Sequence, residues 1–169
     1  AMVGRSLDNR FPPVDNEPGE TVFSVLNLST KYAPKLQNIS FDIRKGEIFG
    51  FYGLVGAGRT ELLETIFGMR TRAEGNVIYN GKIMNFNSPR EAMDHGFALI
   101  TEERKANGLF LKGDLTFNTT ISNMNHYKNG IALSHDRMVR ATAEKIRIMH
   151  TKCMGPDDMI SSLSGGNQQ

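Results

Sequence analysis

A single cysteine, Cys153, stands in a chain of 169 residues. One thiol excludes an intramolecular disulfide framework and argues against a cysteine-ligated metal cluster. Long apolar runs are missing too: none approaches the ~20 residues that a membrane-spanning helix needs. The start shows no basic stretch followed by an apolar one, so a cytoplasmic protein is expected. Neither sign of charge prevails. Lys plus Arg number 20 against 18 Asp plus Glu, a formal net charge of +2. That balance argues against a strongly basic nucleic-acid binder and against an acidic disordered tail. No nucleic-acid partner is expected. Two composition features stand out, 17 glycines and 9 methionines. The length suits one domain, or one domain with a small appendage.

Residues 1–20 read as a linker or N-terminal tail, because their prolines come with no periodicity. From Thr21 apolar residues set in: Val22, Leu26 and Leu28 lie near a period of two, with Phe23 and Val25 on the other face, as in a well-buried strand. Ile39, Phe41 and Ile43 alternate with polar residues, as in a half-buried strand. Ile48-Phe49-Gly50-Phe51-Tyr52 is a short apolar run that suits a strand covered on both faces. Asn80-Gly81 is the favoured pair for a type I′ turn, so Asn76–Met84 reads as a hairpin. Ser88-Pro89-Arg90-Glu91 forms a capping box with Pro at the first helical position, and Gly96 stops that helix. Phe97-Ala98-Leu99-Ile100 reads as another buried strand. Beyond it, Phe117 to about Tyr127 and Asp136 to about Met149 read as helices.

Gly53-Leu54-Val55-Gly56-Ala57-Gly58-Arg59-Thr60 follows an apolar run and opens a helix whose stripe is Leu62, Leu63, Ile66 and Phe67. In that context the glycines form a phosphate cradle. Successive backbone N–H groups of such a loop converge on an anion, and the following helix adds its unpaired N–H groups and positive dipole end. Gly56 and Gly58 let phosphate oxygens approach the main chain. Thr60 stands where a P-loop threonine holds Mg²⁺. The lysine position holds Arg59, which keeps the charge but spreads it over a planar fork with fixed donor directions. A glycine turn that binds nothing is the plain alternative.

The second motif is Leu163-Ser164-Gly165-Gly166-Asn167-Gln168-Gln169. Paired with the upstream glycine loop, it resembles the signature of the ATP-binding subunits of ABC transporters, Leu-Ser-Gly-Gly-Gln or a close variant. Asn167-Gln168-Gln169, Thr101–Lys105 and Phe117–Asn123 resemble the monosaccharide-importer branch of that family. So does Met2-Val3-Gly4-Arg5, which in the family follows the first of two tandem nucleotide-binding domains. The resemblance covers Met2 to Gln169.

The resemblance implies an α/β P-loop NTPase fold, with an antiparallel β subdomain and a helical subdomain, truncated after the signature motif. The P-loop core and β subdomain would take 21–115, in part, and the helical subdomain 116–169. Cofactors would be ATP and Mg²⁺. Two nucleotide-binding domains would pair head to tail, with ATP between the P-loop of one and the signature of the other. The partner would be the first domain of the same polypeptide or a second copy. Ser164, Gly165, Gly166 and Asn167 would serve the partner's ATP. Membrane permease subunits, and indirectly a periplasmic or extracellular sugar-binding protein, complete the expected assembly at the cytoplasmic face of the inner membrane. The family's Walker B aspartate, catalytic glutamate and switch histidine have no counterpart in these residues, so the parent would hydrolyse ATP and this chain alone would not. The site bearing Arg59 would be degenerate, binding ATP with little turnover. The central sheet would lack a strand and expose an apolar edge or face. The expected results are marginal stability, compensation by dimerisation, or loss of order in the helical part.

Two positions keep two readings each. Tyr32 falls where the family often stacks an aromatic ring on adenine, or it is an ordinary turn tyrosine. Glu102 falls near the family's Q-loop glutamine and could ligate Mg²⁺ or its water, or it is a solvated loop glutamate. Phe97–Glu103 resembles a Walker B element, but Thr101 replaces the acid and the order along the chain is wrong. It reads as the strand leading into the Q-loop. Met124, Met138 and Met149 read as packing residues, Cys153 as a packing thiol, and the histidines carry no assigned chemistry. The alternative class is a non-enzymatic nucleotide-binding or dimerisation module. A stand-alone P-loop kinase or GTPase leaves Leu163–Gly166 unexplained.

Overall fold

A computed structural model of the protein describes residues 16–168. The tail expected at 1–15 and Gln169 lie outside the described residues. The chain divides into two compact units, one through Leu99 and one from Ile100 onward.

The first unit is built on a four-stranded antiparallel sheet in the order β2-β1-β3-β4. Its strands are β1 (Thr21–Thr30), β2 (Ile39–Arg44), β3 (Arg72–Tyr79) and β4 (Lys82–Met84). Two helices accompany it, α1 (Arg59–Ile66) and α2 (Pro89–Asp94). The core gathers Val25, Leu28, Leu36 and Val77 with Leu62 and Ile66 of α1. The β3–β4 hairpin turns at Asn80 and Gly81, both at positive φ (49° and 73°), as a type I′ turn requires. The α2 cap forms as its sequence suggests: Ser88 Oγ accepts from Glu91 N at 3.3 Å. The Glu91 carboxylate reaches one residue further back than a standard capping box, to Asn87 N at 2.8 Å.

The period of two expected in β1 fails in its middle. Val25 and Leu28 are both buried although three positions apart, while Leu26 is exposed. The cause is a bulge. Val25 pairs with Phe41 and Leu28 with Ile39, so three steps on β1 match two on β2. Asn27 takes φ 51° there. On the other side Gly75 of β3 faces the bulge at φ 89°, where a Cβ would come within 2.5 Å of the Leu26 and Asn27 carbonyl oxygens. Only glycine lets β3 pass.

Two strands expected from their apolar runs do not form. Residues 48–52 and 97–100 carry no ladder pairing among the described residues. A run suited to a doubly covered strand needs hydrogen-bonding neighbours on its edges, and residues 48–52 have none. One face of 48–52 still packs. Phe49 and Phe51 join Phe41 with ring centroids 5.0 to 5.4 Å apart. The other face is open: Ile48 is 91% and Tyr52 99% exposed. Likewise Phe97 packs on Phe23, Tyr79 and Phe86.

The second unit holds a π-turn at Arg104–Gly108, α3 (Leu115–Thr120), a 3-10 stretch at Ile121–Tyr127, and the short hairpin β5 (Lys128–Asn129) and β6 (Ala132–Leu133). There follow α4 (His135–Met149), a 3-10 turn at Ile160–Ser162 and α5 (Gly165–Gln168). The helix expected over Phe117–Tyr127 is thus the end of α3 followed by a 3-10 stretch that is itself interrupted at non-helical Asn123. Asp114 starts α3, its Oδ1 accepting from Phe117 N at 2.6 Å. Leu115, Ile160 and Leu163 form the core, with Cys153 packed against them. Met138 is buried, whereas Met149 is exposed. Buried Thr120 and Thr142 turn their hydroxyls back to the Thr116 and Met138 carbonyls, which satisfies them within their own helices.

Candidate functional site

The glycine loop lies in the first unit and is shaped by local chemistry. Ala57 N donates to Leu54 O at 3.0 Å, closing a turn. Gly56 and Gly58 both take φ 84°. Their surroundings differ. A Cβ on Gly56 would meet nothing within 4 Å, so that position is open to an approaching ligand. A Cβ on Gly58 would lie 2.4 Å from Leu36 Cδ2. The glycine therefore lets the β1–β2 loop close onto the start of α1. That helix starts at Gly58 with no side-chain cap. Gly58 has no side-chain oxygen to offer the first-turn N–H groups, which suits an anion. Arg59 and Thr60 form the first turn and are exposed. Glu61 follows them.

The β1–β2 loop that contributes Leu36 also carries Tyr32. Tyr32 is 62% exposed, with Lys31 Nζ over its ring 5.5 Å from the centroid. Tyr32, Thr30, Pro34 and Glu61 help line a cavity of about 240 Å³ beside α1. An exposed ring near the glycine helix is placed to offer a flat face, as stacking requires.

The signature segment lies in the second unit. The chain before it is pinned to α3. Leu115 N donates to Asp158 O at 2.9 Å, Thr116 N to Pro156 O at 3.0 Å, and Ile160 N to Gly113 O at 3.1 Å. Leu163 is buried and delivers Ser164, Gly165 and Gly166 to the surface. Asn167 is engaged on both sides of its amide. Its Oδ1 accepts from Lys152 N at 3.2 Å and its Nδ2 donates to Ser164 Oγ at 3.0 Å. Gln168 was not singled out as a site residue, yet it is buried and its Nε2 donates to Ile160 O at 3.1 Å and Leu163 O at 3.0 Å. In the sequence it figured only as part of the Asn167-Gln168-Gln169 run, two places beyond the glycines.

Thr60 belongs to the first unit and Glu102 to the second. Glu102 is exposed, just ahead of the π-turn. Among the described residues no group of three or more His, Cys, Asp or Glu side chains is placed to hold a metal. A Mg²⁺ ion at the glycine loop would be held largely by phosphate oxygens, and Thr60 is the hydroxyl residue that follows the loop.

A glycine turn opening α1, with α1 packed on the antiparallel sheet, agrees with the P-loop NTPase class of fold. The chain belongs to the ABC transporter family, whose model matches residues 36–169. The galactose/methyl galactoside import ATP-binding protein of Treponema denticola is 57% identical over the whole chain, which covers 34% of that protein. Its counterpart in Escherichia coli K12 is 47% identical over 99% of the chain, covering 33% of its own length. The chain thus spans about a third of the curated relatives it matches. A solved nucleotide-free ATP-binding cassette from an ABC transporter superposes with a TM-score of 0.69 at 20% identity, over 88% of this chain and 61% of that one. A dimeric bacterial ABC transporter cassette gives 0.63 at 20% identity, over 86% and 65%. These structures establish the ABC-ATPase α/β fold. No helix of the described residues is long and apolar enough to cross a membrane.

Proposed function

We propose that the chain is the ATP-binding, energy-coupling part of an ABC importer for a monosaccharide, galactose or a methyl galactoside. It corresponds on this reading to the second of two tandem nucleotide-binding domains. The observation that carries the proposal is the open Gly56 position ahead of the uncapped α1 start. This main-chain geometry suits a polyphosphate. The identity of 57% to a galactose/methyl galactoside import protein supports the sugar class.

In this reading Gly53–Gly58 hold the phosphates through main-chain N–H groups, with Leu54, Val55 and Ala57 setting the curve. Arg59 supplies positive charge, Thr60 orients the metal, and Tyr32 offers its ring to adenine. Bound ATP with Mg²⁺ supplies the phosphoanhydride whose cleavage drives transport. Ser164, Gly165, Gly166 and Asn167 meet the nucleotide of a partner domain, either the first domain of the same polypeptide or a second copy. Permease subunits at the cytoplasmic face of the membrane, and a sugar-binding protein beyond them, complete the assembly. The Arg59 site binds ATP with little turnover, because a planar guanidinium does not reproduce the point charge of lysine. These 169 residues alone hydrolyse ATP poorly, since no carboxylate here is assigned to position the attacking water.

A second reading, a nucleotide-binding module without turnover that serves as a dimer partner, rests on the same arginine. Titration of the chain with a fluorescent ATP analogue, with and without Mg²⁺, tests both. Saturable binding strengthened by Mg²⁺ is expected. No binding under either condition overturns the nucleotide reading.

A further inference from the structure

The second unit contains a link between the π-turn and the signature segment that the proposed function leaves without a role. The half-buried Arg104 opens the π-turn Arg104–Gly108. Its Nε donates to Gln168 Oε1 at 3.4 Å. The orientation of the Gln168 amide is fixed by its other partners. Its Nε2 faces the carbonyls of Ile160 and Leu163, and a flipped amide would set oxygen against oxygen. Both N–H donors of Gln168 are thereby used, and its oxygen is turned to Arg104. The guanidinium also lies against Gly165. A Cβ there would sit 2.7 Å from Nη2 and 3.6 Å from Cζ, whereas a Cβ on Gly166 would meet nothing within 4 Å. The two signature glycines therefore do different things. Gly166 is open outward, while Gly165 makes room inward for an arginine 61 positions earlier in the chain.

We propose that Arg104 is a positioning residue for the signature segment. Through Gln168 and the bare Cα of Gly165 it holds the first turn of α5, and with it Ser164–Gly166, in one arrangement. Displacement of the 101–108 loop is thereby felt at the signature. The functional weight of this link rests on the reading of Ser164–Asn167 as a nucleotide-contacting segment, but the link itself does not. A planar fork is needed, because one side chain has to meet an amide oxygen through Nε and lie flat beside a Cα through Nη2. A lysine ammonium does only one of these.

The test is amide hydrogen exchange and nitrogen-15 NMR on the 169-residue chain without nucleotide. The probes are the bonded amides of Ser162, Leu163, Asn167 and Gln168 and the Arg104 Nε–H resonance. Arg104→Ala is expected to raise exchange at these amides about tenfold by local opening, leaving α4 and the β1–β3 ladder unchanged. Arg104→Lys is expected to fail to restore protection. Gly165→Ala is expected to shift or broaden the Arg104 Nε–H signal and to add nothing in the Arg104→Ala background, as coupled sites do. Unchanged exchange in Arg104→Ala, full rescue by lysine, or additive effects of the two substitutions overturns the proposal. A uniform rise across the chain also overturns it, because Arg104 would then merely support the fold. Since no nucleotide is present, a failure of ATP binding elsewhere leaves this result intact.

Discussion

Arg59 and Gly58 are neighbours with separable roles, one chemical and one structural. If the guanidinium limits turnover, Arg59→Lys in the complete tandem polypeptide raises its ATPase rate. Turnover unchanged at matched expression and nucleotide occupancy contradicts the degenerate-site reading. Gly58 meets two demands at once, a positive φ and contact with Leu36. Gly58→Ala therefore combines a left-handed backbone cost of ~1–2 kcal/mol with an overpacking cost of ~1–3 kcal/mol. Gly56 has the same φ but open space around it, so Gly56→Ala carries only the first cost. Urea midpoints of the two variants are expected to fall in that order, and equal midpoints contradict the Leu36 contact. The importance of Gly58 as a loop residue was legible in its spacing. Its contact with Leu36 was not, because the two lie 22 positions apart and no local pattern reports the approach.

Among the elements, those fixed by adjacent residues agree with the sequence reading. Asn80-Gly81 makes its turn and Ser88 its cap because each conformation is set within four residues. Ser88→Ala and Asp114→Ala are each expected to cost ~1 kcal/mol by loss of an N-cap oxygen. Thermal unfolding checks both, and the first is expected to act on the unit through Leu99 and the second on the unit from Ile100. The deviations lie where an element needs a distant partner. Residues 48–52 have the composition of a strand, but strand identity is a property of pairs, and no described segment pairs with them. The bulge in β1 was hidden for a related reason. Alternation predicts which face a residue takes only while the register holds, and Asn27 opposite Gly75 breaks it. The candidate site divides the same way. The glycine loop and the signature were readable as motifs, whereas Gln168 was hidden because its partners, Arg104, Ile160 and Leu163, come together only on folding.

For the whole molecule, the exposed apolar side chains set behaviour in solution. Ile48, Tyr52, Leu54 and Val55 are each more than four-fifths exposed and nearly consecutive. Exposed apolar side chains clustered in one segment promote association. The chain is expected to self-associate in sedimentation velocity with a concentration-dependent coefficient. Ile48→Lys combined with Tyr52→Lys is expected to shift it toward monomer without altering the β1–β3 ladder amides. A monomer at all concentrations in the unsubstituted chain contradicts this. On the proposed function the chain grips a polyphosphate through its glycine loop. Competition of ATP, ADP, AMP and adenosine against a fluorescent ATP analogue on the 169-residue chain tests it most directly. Affinity is predicted to fall in that order, with the largest loss when the last phosphoanhydride is gone. Adenosine competing as well as ATP would contradict the account.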